Sequence, residues 1–167
     1  MVQAQLQGLA PLVSPATRVL ILGSFPGARS LERQQYYAHP QNQFWRILQA
    51  IWPSSPHETC ADSYENRSKW LLARGLGLWD VYARCERQGS LDSAIRNAVP
   101  NDIAALHLPQ LQAIVHNGGE SFKHARHTRT LGVPVVQLPS TSPANASWSF
   151  ERKLAAWRAV MQEHGLV

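Results

Sequence analysis

Short runs of apolar residues alternate with stretches in which apolar residues recur every three or four positions. A short run bounded by turn residues is typical of a buried strand, and the recurring pattern is typical of a helix that packs on one face. The runs predict four strands, at 18–23, 76–82, 111–116 and 133–138. The recurring pattern predicts helices at 3–13, 42–52, 64–74, 100–107, 121–129 and 150–161. The segments 54–63 and 84–92 are polar and are predicted to be loops.

Polar residues follow each predicted strand directly. Strands that alternate with helices are typical of a parallel sheet with helices on both faces, and the crossovers bring the carboxyl ends of the strands to one edge. Ligands bind at that edge in open α/β sheets. We therefore predict an α/β fold with one cleft, and the side chains expected there are Ser24, Asn42, Asp80, Asn117 and Thr141.

The length fits one domain spanning residues 1–167, because a chain of 167 residues can bury a substantial core. No signal-like segment lies near the N-terminus and no apolar run reaches the ~20 residues that span a membrane, so we expect a cytoplasmic protein with no membrane partner. Cys60 and Cys85 are too few for a disulfide scaffold or an iron–sulfur cluster. No metal is expected either, since His116, His124 and His127 lack carboxylate or cysteine partners at ligand spacing.

The charge favours an anionic partner. The formal net charge is +5, and 13 of the 16 basic residues are arginines. The planar guanidinium suits phosphate groups, so this bias favours nucleic acid. Four arginines in polar segments are predicted to be solvated surface residues, with phosphate contact as the alternative: Arg84, Arg87, Arg126 and Arg129.

The richest candidate site lies directly after the first strand. The loop Gly23–Gly27 ends the apolar run, and two tyrosines, a histidine and an asparagine follow within seven residues, at Tyr36, Tyr37, His39 and Asn42. The loop matches neither the phosphate-binding nor the dinucleotide-binding glycine pattern. Such a density of aromatic and polar side chains before a helix predicts a binding or catalytic site.

At these residues the chain resembles the uracil-DNA glycosylase superfamily, and within it the hypoxanthine-DNA (deoxyinosine) glycosylase branch. The likeness covers about residues 15–160. It implies a three-layer α/β/α sandwich with a central four-stranded parallel sheet, formed by a single glycosylase domain. It also implies a monomer that acts on DNA containing deaminated bases, without cofactor or metal. The segments that carry the resemblance, in the family's order, are Gly23–Gly27, Tyr37–Trp45, His116–Gly118 and Ser142–Asn145.

One departure from the family pattern bears on the substrate. The mismatch-specific uracil branch has an asparagine at the third position of the first loop, where this chain has Phe25. The resemblance places the catalytic asparagine of the deoxyinosine branch at Asn42 instead. An asparagine ahead of a helix is also a good N-cap, and the two roles are compatible. Ser140 and Thr141 stand where the main uracil-excising branches carry a histidine.

The resemblance also suggests how DNA would be held. Tyr37 is a candidate to stack on the extruded base, Asn117 to pair with its edge, and Ser24 and Phe25 to line its pocket. From the residues alone, Tyr37 could equally be a packed ring, and Asn117 a turn residue before two glycines. His39 is expected to make a structural hydrogen bond, and Asp80 to act as a cap or to organise a loop. The loop expected to probe the minor groove and fill the vacated stack is Ser142, Pro143, Ala144 and Asn145, and its alternative role is a helix-initiating turn.

The predicted function is a monofunctional DNA glycosylase of base excision repair, since no lysine near the first motif could form a Schiff base. Phe25 offers an apolar wall in place of a polar partner for uracil, so hypoxanthine is the predicted base. Two alternatives stay open, a mismatch-type uracil or thymine glycosylase and a non-catalytic nucleic-acid-binding module. A cleft filled by Phe25 and Tyr36 would favour the binding module.

Overall fold

A four-stranded parallel sheet forms the centre of the computed structural model, which describes residues 4–53 and 63–167. The strands are, in chain order, β1 (Leu6–Gln7), β2 (Val19–Gly23), β3 (Leu76–Asp80), β4 (Tyr82–Glu86), β5 (Arg96–Pro100), β6 (Ala113–Asn117) and β7 (Val135–Leu138). The α-helices are α1 (Ala28–Arg33), α2 (Phe44–Ile51), α3 (Tyr64–Ala73), α4 (Gly119–Phe122), α5 (Ala125–Thr128) and α6 (Phe150–Glu163). Short 3-10 turns lie at Asp92–Ala94, Ile103–Leu106 and Arg129–Leu131.

The central sheet has the strand order β3-β2-β6-β7, and all of its pairs are parallel. In this register Gly23 at the end of β2 lies beside Asp80 at the end of β3. The carboxyl ends of all four strands therefore meet at one edge of the sheet, as the sequence predicts. The predicted four-stranded parallel sheet and the α/β/α sandwich are confirmed.

Alternation along β2 explains the two layers that cover the sheet. Successive side chains of a strand point to opposite faces. Val19 and Ile21 pack in the larger core cluster with α2, α3 and α6, whereas Leu20 and Leu22 pack in the cluster on the other face. All four side chains are fully buried, which explains why the strand is a continuous apolar run. Each such burial contributes about 1.5–3 kcal/mol to folding.

The first predicted element is wrong, because residues 3–13 do not form a helix in the part that the structure describes. The short strand β1 pairs antiparallel with β4, and Leu12 pairs with Leu78. Gly8 N donates to Ala83 O over 2.8 Å, and a β-carbon on Gly8 would lie 3.1 Å from that oxygen. The backbone of this segment therefore hydrogen-bonds to neighbouring strands instead of to itself. The glycine in its middle also has a low helix propensity.

A second sheet, with the order β1-β4-β5, was not predicted. Residues 84–86 of the predicted loop belong to β4, whose pairing with β5 is irregular, with register shifts along it. Both strands are short and mix polar with apolar residues, so neither shows a continuous apolar run. Helix α1 was also not predicted, and the predicted helix at 100–107 is reduced to the 3-10 turn Ile103–Leu106.

Other predicted boundaries shift for identifiable reasons. The predicted helix at 121–129 is divided between α4 and α5. Ser63 begins α3, where its side chain accepts a hydrogen bond from Asn66 N. The rest of the predicted loop at 54–63 lies outside the described residues. Over the described ranges, no helix has both the length and the apolar character needed to cross a membrane.

Candidate active site

A cavity of about 980 Å³ opens where β2, β3, β6 and β7 end. This volume is at the upper end of the ~300–1,000 Å³ typical of small-ligand sites. The five side chains predicted to share the cleft all line this cavity, so the sequence placed them correctly. The residues predicted for the site line it as well, and they are Ser24, Phe25, Tyr37, Asn42, Asn117, Ser142, Pro143, Ala144 and Asn145.

Phe25 and Tyr36 leave the cavity open. Phe25 is only 6% exposed, and the guanidinium carbon of Arg87 lies 5.3 Å from the centre of its ring. Tyr36 is 5% exposed, and its hydroxyl donates to Ala10 O over 2.7 Å. Both rings pack within the protein and form part of the cavity wall. An open cavity favours a catalytic domain over the non-catalytic binding module.

Asp80 places an unpaired carboxyl at the wall of the cavity. A β-carbon on Gly23 would lie 2.6 Å from Asp80 Oδ1, so only glycine leaves room for this carboxyl. The side chain is buried, and its Oδ2 has no hydrogen-bond partner among the described residues. Burial, reinforced by the nearby charge of Asp92 and opposed by Arg87, raises the pKa of Asp80 to about 7. This carboxyl can therefore gain and lose a proton near neutral pH.

Asp80 is predicted to act as a cap or to organise a loop, which requires its carboxyl to accept hydrogen bonds from nearby residues. Its Oδ2 accepts none from the described residues. Asn101 instead makes the ordering contact, donating from Nδ2 to the main-chain oxygen of Asp80 over 2.8 Å. The sequence signal for Asp80 was its place at the end of a buried strand. That signal locates a side chain at the cleft but says nothing about which partners it finds there.

Arg87 corrects a second prediction, because it is buried rather than solvated. Its side chain is 4% exposed. Nη2 donates to Pro26 O over 2.7 Å, and Nε donates to Gly89 O over 2.8 Å. Burial lowers the pKa of Arg87. The guanidinium of Arg87 therefore connects the first loop to the segment between β4 and β5. The other three arginines, Arg84, Arg126 and Arg129, are exposed as predicted.

Ser24 forms a second tie to the same connection. Its Oγ donates to Asp92 Oδ1 over 2.5 Å. Burial raises the pKa of Asp92, and the hydrogen bond from Ser24 opposes that rise. No sequence signal pointed to Asp92 or to the buried position of Arg87, because the strands that carry them to the cavity were not predicted.

Tyr37 stands between the cavity and the core. Its ring stacks on Phe44 with centroids 4.1 Å apart and an interplanar angle of 23°. Its φ of 55° is in the left-handed region, which is uncommon for a residue with a bulky side chain and is held here by the surrounding contacts. Asn117 Nδ2 donates to its hydroxyl oxygen over 3.1 Å. Burial, aided by the charge of Asp80, raises the pKa of Tyr37, so the ring is neutral.

Asn117 joins three parts of the site. Its Nδ2 donates to Tyr37 Oη and to Thr141 Oγ1, each over 3.1 Å, and its Oδ1 accepts from Thr141 N over 3.1 Å. Both amide hydrogens are thus used within the protein, and one lone pair of Oδ1 remains for a ligand. Gly118 follows with a φ of 96°, and a β-carbon there would lie 3.0 Å from Ser140 Cβ. Base pairing by Asn117 stays a prediction, and its visible role is to position Tyr37 and the loop after β7.

Asn42 makes a capping-type contact from the position before Gln43, which is the N-cap of α2. Its Oδ1 accepts from Phe44 N over 3.0 Å at the start of α2. The side chain is half-buried and lines the cavity. An amide oxygen has two lone pairs, so this bond leaves one for a water molecule. His39 makes the local structural bond predicted for it, with its Nδ1 accepting from Gln41 N over 3.1 Å.

The loop Ser142–Asn145 forms one rim of the cavity. Asn145 Nδ2 donates to Ser140 O over 3.1 Å, and Ala144 N donates to Ser142 Oγ over 3.2 Å. Pro143 and Ala144 are exposed at this rim. The loop is thus held by its own hydrogen bonds and presents small side chains outward.

His116 is a core residue and belongs to neither the cavity nor a metal site. It is fully buried on β6, with Nδ1 at 2.8 Å from Ser121 Oγ and Nε2 at 2.9 Å from Thr128 Oγ1. Burial lowers its pKa to about 4, so the ring is neutral. These two bonds connect β6 to α4 and α5. Among residues 4–53 and 63–167, no group of three histidine, cysteine or acidic side chains could hold a metal ion.

The fold and the cavity define a class of protein, a small α/β/α domain with an open cleft at the carboxyl edge of its parallel sheet. The family model of the uracil DNA glycosylase superfamily matches residues 10–161. The chain belongs to this superfamily, as its motifs predicted.

Similar proteins come from two archaea. A hypoxanthine DNA glycosylase of Methanosarcina barkeri is 34% identical over 153 residues, which cover 90% of this chain and 94% of that protein. A hypoxanthine DNA glycosylase of Methanosarcina acetivorans is 36% identical over 160 residues, 93% of this chain and 98% of that protein. The solution NMR structure of a candidate uracil DNA glycosylase from Methanosarcina acetivorans superposes with a TM-score of 0.84 at 33% identity, covering 96% of this chain and 99% of that one.

Proposed function

We propose that this DNA glycosylase hydrolyses the N-glycosidic bond of deoxyinosine in DNA and releases hypoxanthine. The observation that carries the proposal is that one cavity has both the apolar wall at Phe25 and the buried carboxyl of Asp80, whose Oδ2 has no hydrogen-bond partner among the described residues. Two similar proteins are named hypoxanthine DNA glycosylase, which supports the same substrate.

The carboxyl of Asp80 suits a purine leaving group. A purine that departs through N9 keeps further ring nitrogens that can accept a proton, so a proton donor at the base makes the departing group neutral. With a pKa of about 7, Asp80 is partly protonated at neutral pH and suits general acid catalysis. Uracil departs as a relatively stable anion and gains less from such a donor.

Asn42 and Tyr37 supply the other requirements of the reaction. The lone pair of Asn42 Oδ1 that the cap leaves unused would orient the attacking water. Tyr37, held by Phe44 and Asn117, would stack on the extruded base, a contact worth about 1–3 kcal/mol. Stacking also suits a purine, which offers a larger flat surface than a pyrimidine.

The proposed step is a simple hydrolysis. The C1′–N9 bond breaks, its electron pair goes to the base, and Asp80 gives a proton to a ring nitrogen of that base. Water bonds to C1′ through its oxygen and releases one proton, and Asp80 recovers a proton before the next turnover. The products are neutral hypoxanthine and an abasic site with its DNA strand intact.

Uracil release is the second candidate. The structural neighbour described as a candidate uracil DNA glycosylase favours it. Against it, Phe25 offers the pyrimidine edge no hydrogen bond, and a buried base edge left unpaired costs about 1–3 kcal/mol.

Incubation of the protein with labelled oligonucleotides that each bear one deaminated base, followed by alkali, tests the proposal. Alkali cleaves the strand wherever a base has been lost. We expect cleavage at deoxyinosine that depends on alkali. Cleavage at deoxyuridine alone would support the second candidate, and cleavage without alkali would contradict simple hydrolysis.

An abasic product fits a place early in base excision repair. The monomeric state stays a prediction. A cytoplasmic location stays a prediction.

A further inference from the structure

Tyr37 has a strained backbone at the wall of the cavity. Its φ of 55° lies in the left-handed region, where the β-carbon of a residue other than glycine crowds the backbone. Such a conformation persists only where the surrounding structure holds it. One face of the Tyr37 ring stacks on Phe44, and the side chain lines the cavity. The strain therefore falls on the residue that stacks on the extruded base in the proposed function.

The residue before Tyr37 is held by side chains of two other helices. Tyr36 N donates to Tyr64 Oη of α3 over 3.1 Å, and Tyr36 O accepts from Trp45 Nε1 of α2 over 3.1 Å. The hydroxyl of Tyr36 donates to Ala10 O over 2.7 Å. Every polar group of Tyr36 thus has a partner, so this residue cannot rotate without losing a hydrogen bond.

The residue after Tyr37 is held by a third helix. Ala38 N donates to Ser30 Oγ over 3.1 Å, and Ser30 is a buried residue of α1. The main-chain oxygen of Ser30 also accepts from Gln35 N over 3.0 Å. The backbone is therefore held by hydrogen bonds to side chains both before and after Tyr37.

The acceptor on α3 is itself fixed by packing. The rings of Trp45 and Tyr64 meet edge to face, with their centroids 6.3 Å apart. The guanidinium carbon of Arg67 lies 5.0 Å from the centre of the Trp45 ring and 5.8 Å from the centre of the Tyr64 ring. The two side chains that bind the backbone of Tyr36 therefore belong to one packed group, which sets the position of Tyr64 Oη.

We propose that Tyr64 and Ser30 are positioning residues for base release, because their hydrogen bonds hold Tyr37 in the strained conformation that presents its ring to the cavity. The proposal rests on the proposed function, in which this ring stacks on the extruded hypoxanthine. Loss of either hydrogen bond frees one neighbour of Tyr37. The backbone can then relax to an ordinary conformation, and the ring leaves its place on Phe44.

Tyr64→Phe tests this role, because it removes the hydroxyl and keeps the packed ring. The matched control is Tyr82→Phe, which removes the hydroxyl of a half-buried tyrosine on β4 that does not line the cavity. Single-turnover release of hypoxanthine from a duplex is measured for both. Tyr64→Phe should slow release by about fivefold or more, the effect of one lost hydrogen bond, and Tyr82→Phe by less than about twofold.

A double-mutant cycle separates positioning from a general effect on the fold. Tyr37→Ala has no ring to position, so adding Tyr64→Phe to it should slow release further by less than about twofold. Ser30→Ala should behave like Tyr64→Phe, both with and without the ring of Tyr37. If either change slows release equally in the two backgrounds, or slows it in neither, the positioning role of that residue is overturned.

A measurement on the free protein tests the hydrogen bonds apart from the proposed reaction. The nuclear Overhauser effect between the amide and α hydrogens of one residue is strong in the left-handed region, because the two atoms are close there. This effect should be strong at Tyr37 in the wild type and weaker in Tyr64→Phe and in Ser30→Ala. If the wild type releases no hypoxanthine, the proposed function fails, and this effect alone decides whether the two residues hold Tyr37. An effect that keeps its full strength in both variants overturns the proposal.

Discussion

At the scale of single residues, the cavity holds two carboxyls, Asp80 and Asp92, and a side-chain hydrogen bond reaches Asp92. Ser24 donates to Asp92 and opposes the rise of its pKa, whereas Oδ2 of Asp80 has no partner among the described residues. A hydrogen bond to the charged form favours ionisation, and burial without one favours the neutral acid. Asp80 is therefore the group expected to carry a proton to the base.

Asp80→Asn tests this role through pH. In the wild type the rate of base release should fall as the pH rises through about 7, because Asp80 loses the proton that it donates. The variant keeps the shape but has no acidic proton, so its rate below pH 7 should drop by about 100-fold and vary little with pH. Single-turnover rates of the wild type and of Asp80→Asn, measured across this pH range, test both expectations. Wild-type rates for Asp80→Asn at pH 6 would contradict the acid role.

The same variant should change how stability depends on pH. The pKa of Asp80 is raised from 3.8 to about 7 on folding, so the folded wild type loses stability as the pH rises through this window, and the loss is complete above it. The asparagine in the variant does not ionise, and Asp80→Asn should therefore gain stability relative to the wild type between pH 4 and pH 8. The upper limit of this gain is about 4 kcal/mol. Urea unfolding at the two pH values measures it, and an equal difference at both would contradict the raised pKa.

Asn42→Ala separates catalysis from capping. Its Oδ1 accepts from Phe44 N, so losing the side chain should cost about 1 kcal/mol of stability. If Asn42 also orients the water, base release should fall by about 100-fold or more, far beyond the effect of so small a loss. Asn42→Asp keeps an oxygen for each task and should retain more activity. A folded Asn42→Ala that releases base at the wild-type rate would leave Asn42 as a cap alone.

At the scale of elements, the site depends on a hairpin that is not part of the central sheet. Arg87 on the connection after β4 binds Pro26 O, so the second sheet holds the first loop in place. The guanidinium is buried against Phe25 and has charged neighbours in Asp80 and Asp92. The geometry of the cavity wall thus depends on both sheets.

Arg87→Met should loosen this wall. The change leaves Pro26 O and Gly89 O without their donor. Pro26 is buried, and a buried carbonyl left unpaired costs about 1–3 kcal/mol, whereas Gly89 is exposed and its carbonyl can bind water. Denaturant unfolding should show this loss, and base release should slow because Ser24 and Phe25 shift with the loop. The control is Arg84→Met, which replaces an exposed arginine on β4. It should change the stability and the rate of base release only slightly. Equal stability of the two variants would mean that Arg87 does not hold the loop.

Elements that follow a clear apolar pattern could be predicted from the sequence, and the rest could not. The run Val19–Leu22 and the face of α6 around Trp157 are set by burial, which leaves a direct trace in the residue pattern. Strands β4 and β5 carry polar residues on an irregular pairing, so no periodicity marks them. The segment around Gly8 shows helical spacing but pairs with Ala83 and other strand residues, because tertiary contacts override local preference.

For the site, the sequence predicts which residues lie in the cleft but not which hydrogen bonds they make. The residues at strand ends, such as Asp80 and Asn117, could be placed in one cleft because parallel strands end at one edge. Their bonds could not be predicted, since Asn117 binds Thr141, 24 residues away in the chain, and Tyr37, 80 residues away. The sequence predicts Arg87 at the surface because the polar strands that bury it leave no apolar pattern.

At the scale of the whole molecule, the charge, the cavity and the family all fit a protein that acts on DNA. The chain has a net charge of +5, an open cavity at the carboxyl edge of its sheet and membership of a superfamily of DNA glycosylases. A positive charge steers a protein to DNA but does not choose a base. In the proposed function the cavity chooses the base, because Phe25 offers no polar partner and Asp80 offers an acidic one.

The most direct test is the ratio of two single-turnover rates, hypoxanthine release and uracil release from otherwise identical duplexes. Phe25 and Asp80 both favour a purine, so hypoxanthine should be released about 10-fold faster or more, which corresponds to about 1.4 kcal/mol or more of discrimination. Uracil released as fast as hypoxanthine, or faster, would contradict the proposed substrate.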